Sequence, residues 1–485
     1  MLAVAHKPRQ EPAASPGQRA AAGINTLGRV NVDPNDHPDD DPRLEERTMS
    51  ATAPLPTAPT DGTGRRRPRV VVVGGGFAGM AAVRQLGTAD VDVLLIDRNG
   101  YTTFQPLLYQ VATGGLNPGD VTYYLRAYTS RFKNADFRRA KVTGVDTAAQ
   151  QLQLEDDKPI DYDYLIVACG VTANFFGIPG AAENSHLIYT RAGAIETRDL
   201  IFTAVEDSAQ GRPGTPDPTV VVVGAGATGV EMAGALAELR NDAIPVAYRN
   251  MPKERVKIVL VEMADVVLAP FDSKLRDYAA HELRERGVDL RLRTSVQEVR
   301  PGAVVVKGPD GELETISTAA TVWATGVSAS PVVGDWGLPT GRGGRIEVGP
   351  DLRVVGHDNI FAAGDVSIAG SSLPQLAQPA IQGGRHAAKQ IRHLLAGEAT
   401  EPFHYHDKGI MATIGFSDAI AQLPRGIKFK GVLAWLAWIG LHVITLIGNR
   451  NRFATMLNLS VRYFTWPRSL NIVVGDPADW RADRA

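Results

Sequence analysis

The chain has 485 residues, with 51 Lys and Arg against 53 Asp and Glu, giving a formal charge of −2. That balance excludes a nucleic-acid binder working through bulk positive charge. A composition of 44% hydrophobic and 21% charged residues is that of a globular protein. The single cysteine, Cys169, excludes a disulfide framework, a redox cysteine pair and a multi-cysteine metal site, and no metal is expected.

Residues 1–68 are rich in Ala, Pro, Asp and Gly and contain no apolar run long enough for a signal peptide. They read as a disordered, solvated extension, with Met49 a candidate start of translation. Order is expected from Arg69. Residues 70–73 are a strand-like run of valines, followed by Gly74-Gly75-Gly76-Phe77-Ala78-Gly79. A helix from Met80 to Leu86 and a strand over 91–96 ending in Asp97 complete a unit of strand, glycine turn, helix, strand and acid. The same grammar returns with a strand over 220–223, Gly224-Ala225-Gly226-Ala227-Thr228-Gly229, a helix over 230–239 and a strand over 258–261 ending in Glu262. The copies start 224 − 74 = 150 residues apart. Further strands are predicted over 164–168, 321–324 and 359–363, each running into a glycine: Gly170, Gly326 and Gly364. Residues 207–218 read as a Pro/Gly linker.

The last segment differs in composition. Residues 431–448 hold 448 − 431 + 1 = 18 positions without Lys, Arg, Asp or Glu, but include Trp435, Trp438, His442 and Thr445. Arg425, Lys428 and Lys430 precede this run, Arg450 and Arg452 follow it, and residues 453–466 are aromatic and basic. Apolar residues flanked by cations and Trp suit a helix lying in the membrane interface. A spanning helix at the lower length limit, or a buried core or dimer helix, stays open.

In a GxGxxG turn the first glycine permits the sharp bend. The second lets the backbone approach a pyrophosphate, and the third lets helix and strand pack closely. The following acid can accept both ribose hydroxyls. It lies 97 − 74 = 23 residues after the first glycine in the first copy, and 262 − 224 = 38 in the second, which requires an insertion around 240–257. Two such folds imply two dinucleotides. Glu262 would repel a 2′-phosphate, and no Arg or Lys follows in Met263-Ala264-Asp265-Val266, so NADH is expected rather than NADPH. Gly364-Asp365, after a short apolar strand, can bond the ribityl chain of a flavin, although an Asp turn is a common element by itself.

These residues carry a family resemblance from Arg69 to about Trp466. The motifs are residues 74–79, residues 101–112 (Tyr101 to Ala112, including Pro106-Leu107-Leu108-Tyr109-Gln110), residues 224–231, residues 361–365, and Ala377-Gln378-Pro379-Ala380-Ile381-Gln382, which matches an AQxAxQ quinone motif. The chain resembles the type II NADH:quinone oxidoreductases, most closely the actinobacterial branch with its long aromatic C-terminal segment. The resemblance implies an α/β fold of two Rossmann-like dinucleotide-binding domains in a glutathione-reductase-like arrangement, plus a C-terminal amphipathic helical membrane anchor. FAD is expected on residues 69–190 and 341–400, NADH on 191–340, and membrane association over 401–485.

The resemblance assigns FAD to Gly74, Gly76 and Gly79, with Asp97 on the adenosine ribose and Gly364-Asp365 near the ribityl chain and pyrophosphate. NADH falls to Gly224, Gly226, Gly229 and Glu262. Further cofactor contacts are expected at Phe77, Ala78, Arg98, Gln105, Val142, Gly170, Thr228, Gly326, Ala380 and Ile381. Glu231 matches a carboxylate near the nicotinamide, although a helix-N-terminal Glu favoured by the dipole is the plainer account of its position. Gln378 and Gln382 lie i, i+4 on one helix face and could bond quinone carbonyls, or could be capping or surface glutamines. Lys408 matches a lysine near the flavin, where a buried ammonium would offset charge; a surface lysine is the alternative. The implied reaction takes hydride from NADH to FAD and two electrons to a membrane quinone, menaquinone or ubiquinone, without proton pumping. The expected place is the cytoplasmic face of the respiratory membrane, as a peripheral protein on the lipid surface. A homodimer stays open. An NADH-dependent reductase of a small redox protein, of the rubredoxin or ferredoxin reductase kind, is the rival reading, and a flavoprotein that binds both nucleotides without turnover is a third.

Overall fold

The computed structural model describes residues 66–211, 216–370 and 373–465. The expected N-terminal extension lies outside the described residues except for its last three positions, as does everything from Trp466 onward.

Five parallel strands make the first sheet, in the order Ile360–Ala362, Tyr164–Val167, Arg69–Val73, Asp92–Asp97 and Ala135–Arg139. Continuous apolar runs form such strands because both faces of a parallel sheet are covered. Val70, Val71 and Val72 are accordingly fully buried. The second sheet is parallel too, in the order Asp289–Arg291, Lys257–Val261, Thr219–Val223 and Ala320–Trp323. The strand before each glycine turn has the same neighbours in the same register. Val73 pairs with Ile96 and Val167, and Val223 with Val261 and Trp323. The α/β expectation is met, and the two units read in the sequence are two copies of one arrangement.

Boundaries shift where a turn or burial overrides local pattern. The first helix is Phe77–Leu86 and the second Ala227–Glu238, so each begins inside the glycine turn rather than after it. The second helix continues through a π turn, Leu239–Ala243, into Ile244–Ala247 and the short helical turn Lys253–Arg255. This insertion accounts for the long spacing to Glu262. The predicted linker begins later than residue 207, because helix Arg191–Ala209 runs through those positions and buries Ser208 on its inner face.

The C-terminal part is built into the interior. Strands Ile410–Gly415, Asp418–Gln422 and Lys428–Lys430 form an antiparallel sheet, followed by helices Val432–Thr445 and Asn449–Thr465. Ala412, Ile414, Ile420 and Trp438 share one apolar core with Val230, Ala233 and Leu236 of the second glycine-turn helix. Gly234 permits that approach, since a Cβ there would overlap the Ile414 carbonyl. Helix Val432–Thr445 has 14 residues, about 21 Å at 1.5 Å per residue, against a hydrocarbon core of about 30 Å. No helix among the described residues is long and apolar enough to cross a membrane, which removes the spanning alternative for residues 431–448.

Candidate functional site

Each glycine turn uses its three glycines differently. Gly74 and Gly224 have φ of +107° and +98°, where an L side chain is strained. At Gly79 and Gly229 a Cβ would overlap the carbonyl oxygens of Gly74 and Gly224. Those four glycines are explained by the chain itself. Gly76 and Gly226 are not: φ is −81° and −70°, and a Cβ at either would meet no protein atom within 4 Å. The space a side chain would fill there lies over a helix N-terminus, where free N–H groups favour an anion. The residues present therefore fit a dinucleotide pyrophosphate, at both turns.

The acids repeat the same geometry. Asp97 Oδ2 accepts the Gly75 N–H at 2.7 Å and Oδ1 the Asn99 N–H at 2.7 Å. Glu262 Oε2 accepts the Ala225 N–H at 2.6 Å and Oε1 the Ala264 N–H at 2.8 Å. In both copies the acid joins the residue after the first glycine to the residue two places past itself. Burial raises the Asp97 carboxyl, against the Gly75 and Asn99 N–H groups and Arg98, which lower it.

The first turn also meets elements almost 300 residues away in sequence. Gly364, at φ +82°, leaves room between Ala78 and Ala380, whose Cβ atoms would lie 3.1 and 3.4 Å from a Cβ there. Helix Ala377–Leu395 crosses helix Phe77–Leu86 at backbone contact, because a Cβ at Gly384 would overlap the Ala78 carbonyl. Asp365 is half-buried, and burial pushes its carboxyl up to about 6, against the lowering influence of Arg345. Such an acid beside the turn suits the hydroxyls of a flavin's ribityl chain.

The two motif glutamines separate. Gln382 is committed on both sides: its Nε2 donates to the His406 carbonyl at 3.0 Å, and its Oε1 accepts the His406 N–H at 3.0 Å. Gln378, one turn earlier and half-buried, makes no side-chain hydrogen bond among the described residues. Lys408 is exposed in a surface turn where the Gly409 N–H bonds Asp407 Oδ1 at 2.8 Å. The expected burial of that lysine is not observed: beyond His406, which Gln382 fixes, Asp407 and Lys408 are exposed.

Glu231 is the fifth residue of its helix, so the dipole account fails: that effect falls off within the first turn. Its carboxyl is buried and accepts the Thr413 N–H at a long 3.4 Å. Burial pushes it up to about 8, the Thr413 N–H and the Trp438 indole pulling the other way. Tyr109 and Trp438 pack nearby with ring centroids 6.1 Å apart, and Trp438 stacks on His442 at 3.9 Å. His442 reaches Phe104 at 6.1 Å, and Phe104 reaches Phe77 at 5.7 Å. An aromatic row thus runs from the first glycine turn through the C-terminal helix to the surroundings of Glu231. His442 Nδ1 lies 2.7 Å from the Trp438 carbonyl, and burial pulls the imidazole down to about 4.

Two turns along, Glu238 pairs with Arg462 at 2.5 Å, with side-chain exposures of 5% and 3%. Arg462 also donates to Gln110 Oε1, and Gln110 Nε2 donates to the Tyr109 hydroxyl at 3.0 Å. Gly115 makes room for this guanidinium, which a Cβ there would overlap. Sequence reading missed Glu238, Trp438 and Arg462 as interior groups. Glu231 and Glu238, seven apart on an otherwise apolar helix, were the available signal for a buried cation. Nothing in the sequence pointed to Arg462, which is 224 residues from Glu238.

The remaining expected contacts are dispersed. Phe77 and Ala78 open the first helix, and Thr228 lies in the first turn of the second. Gly170 and Gly326 take positive φ, +70° and +64°, just beyond the strands that flank each turn. Ile381 is half-buried beside Ala380, while Arg98 and Gln105 are exposed. Val142 is buried at the start of strand Val142–Asp146.

The family model described as pyridine nucleotide-disulphide oxidoreductase matches residues 68–384. The type II NADH:quinone oxidoreductase Ndh of Mycobacterium tuberculosis is 37% identical over 420 residues, covering 83% of this chain and 89% of its own length. A type II NADH:quinone oxidoreductase of Staphylococcus aureus is 32% identical over 369 residues, covering 74% of this chain and 90% of its own. Among solved structures, NDH2 from Plasmodium falciparum in complex with NADH superposes with a TM-score of 0.78 at 19% identity, covering 84% of this chain and 100% of that one.

Proposed function

The chain belongs to the type II NADH:quinone oxidoreductases, within the pyridine nucleotide-disulphide oxidoreductase family, and on that premise we propose how its residues divide the work. Residues 69–190 and 341–400 hold FAD, through Gly74, Gly76, Gly79, Asp97, Gly364 and Asp365. Residues 191–340 hold NADH, through Gly224, Gly226, Gly229 and Glu262. FAD, when bound there, would supply the redox chemistry that links hydride donation by NADH to two-electron, two-proton reduction of a quinone. The observation that carries this reading is the pair of open glycines, Gly76 and Gly226, each leaving space that no protein atom uses.

The chain's own groups bind, orient and hold protons. With its carboxyl at about 8, Glu231 is mostly protonated at neutral pH. Oε1 accepts the Thr413 N–H, and the proton of the neutral acid can be given up during quinone reduction. Gln378 has amide donors to spare for a quinone carbonyl. Gln382 serves the same site indirectly, by fixing the segment at His406.

The lipid surface is the proposed partner of the C-terminal helices. Leu433, Leu436 and Ile444 are 69%, 54% and 69% exposed on one face of Val432–Thr445, and Phe453, Met456 and Leu457 are exposed on the next helix. Arg450 and Arg452 border them. Two apolar faces flanked by cations suit helices lying in the plane of a membrane, which is where a quinone is dissolved. Peripheral attachment follows from the same reading.

Absorbance tests the reaction. Flavin bands of the FAD-loaded protein should bleach when NADH is added without oxygen, and recover on adding menaquinone or ubiquinone analogue. No bleaching, or recovery only with a small redox protein, overturns the reading.

A further inference from the structure

The sequence following Glu262 contains no Lys or Arg for four residues, yet the fold brings the backbone of an arginine alongside that segment. Strand Asp289–Arg291 runs parallel to Lys257–Val261, with Val261 opposite Arg291. Beyond the strand ends the pairing continues. The Glu262 N–H bonds the Arg291 carbonyl at 2.9 Å, the Arg293 N–H bonds the Ala264 carbonyl at 2.9 Å, and the Thr294 N–H bonds the Glu262 carbonyl at 2.9 Å. Arg293 is therefore locked against the segment whose Ala264 N–H holds the Glu262 carboxylate.

The two nearby arginines differ. Arg291 is engaged, with Asp289 at 2.8 Å and Glu314 at 3.3 Å. Arg293 is exposed, makes no side-chain hydrogen bond or ion pair among the described residues, and takes φ +52°, a conformation that L residues adopt at a cost. At the adenosine end of a Rossmann-type site an acid binds the ribose 2′-hydroxyl, whereas an arginine accommodates a 2′-phosphate. This chain holds both, each just beyond the end of one of two neighbouring strands.

We propose that Arg293 makes the adenosine end of the NADH site a latent 2′-phosphate subsite, whose attraction for that group Glu262 opposes. The inference rests on residues 224–229 and Glu262 holding NADH, as proposed above. Discrimination against NADPH is then a difference between one repulsive and one attractive group. Asp265, exposed three residues past Glu262, is the other charge close in sequence, and the test includes it through its presence in every variant.

The experiment measures kcat/KM for NADH and NADPH with a soluble quinone in FAD-loaded wild type, E262A, R293Q and E262A/R293Q. Wild-type turnover of NADH checks the underlying function by itself. E262A should raise kcat/KM for NADPH by tenfold or more relative to wild type, and E262A/R293Q should lose most of that gain. R293Q alone should leave kcat/KM for NADH within about twofold. An equal NADPH gain in the single and double variants, or none in E262A, overturns the proposal while leaving the NADH reading intact. A second measurement leaves Glu262 in place: competitive inhibition of NADH oxidation by ADP and by ADP carrying a 2′-phosphate. R293Q should weaken the phosphorylated inhibitor several-fold more than ADP, and equal weakening of both overturns the proposal even if E262A does not fold.

Discussion

A single methyl group distinguishes the glycines of each turn. At Gly79 it would overlap the Gly74 carbonyl, so alanine there should disrupt the protein with or without cofactor. At Gly76 it would meet nothing within 4 Å. Gly76→Ala should therefore leave the melting temperature of the FAD-free protein nearly unchanged, since surface-type substitutions cost within about 0.5 kcal/mol. The same substitution should weaken FAD binding tenfold or more, as read by flavin fluorescence titration. Equal losses at both positions would show that Gly76 is structural. The GxGxxG pattern was legible in the sequence, but which glycine answers to the protein and which to a ligand depends on neighbours that sequence does not list. Glu231 is a second residue-scale case. Burial raises its carboxyl from an ordinary value near 4.5 to about 8. Its favourable contribution is therefore complete below about pH 4.5 and is lost as pH rises to about 8, at about 1.4 kcal/mol per unit. Glu231→Gln cannot ionise. It should melt close to wild type near pH 5 and above it near pH 8 to 9, while slowing quinone reduction. Parallel melting curves across that range would remove the buried acid from the account.

At the scale of elements, two helices decide whether the first turn is completed. Gly383 and Gly384 lie inside helix Ala377–Leu395, and glycine costs about 1 kcal/mol relative to alanine in an exposed helix interior. Here the second of them lets helix Ala377–Leu395 touch the Ala78 carbonyl, and that crossing sets Ala380 beside Gly364. Gly384→Ala should therefore destabilise despite its better helix propensity, by about 1–3 kcal/mol for overpacking, and should release FAD. Calorimetry with a flavin absorbance ratio checks both, and a stabilised variant that retains flavin would contradict the crossing geometry. The strands, glycine turns and acids were readable because they are local patterns. The crossing was not, because it joins residues about 300 positions apart through the absence of side chains. The glutamine motif was read as one unit, and the structure divides it, because the partner that occupies Gln382 comes from a segment without regular structure at His406.

Over the whole molecule, the C-terminal segment has two faces with different surroundings. Its composition suggested a membrane surface, and its outward face exposes Leu433, Leu436 and Ile444. Its inward face supplies Trp438 and Arg462 to the core around Glu231 and Glu238. Composition could not divide the faces, because Arg462 resembles the other cations of the tail until its partner is known. Removing everything after Arg425 would strip the pair from Glu238, and an unpaired buried charge costs about 3–5 kcal/mol. Such a truncation should fail to fold, so its absence from membranes would say nothing about anchoring. Arg462→Met alone should show that destabilisation, and Arg462→Met with Glu238→Gln should recover much of it, as thermal unfolding would reveal. The membrane question needs substitutions confined to the outward face. Leu433, Leu436 and Ile444 each expose more than half of their surface, and burying one such side chain contributes about 1.5–3 kcal/mol. L433E/L436E/I444E should keep the melting temperature and the NADH oxidation rate with a soluble quinone, yet lose at least a hundredfold in partitioning onto anionic lipid vesicles. Undiminished co-sedimentation with vesicles would place the attachment elsewhere on the protein.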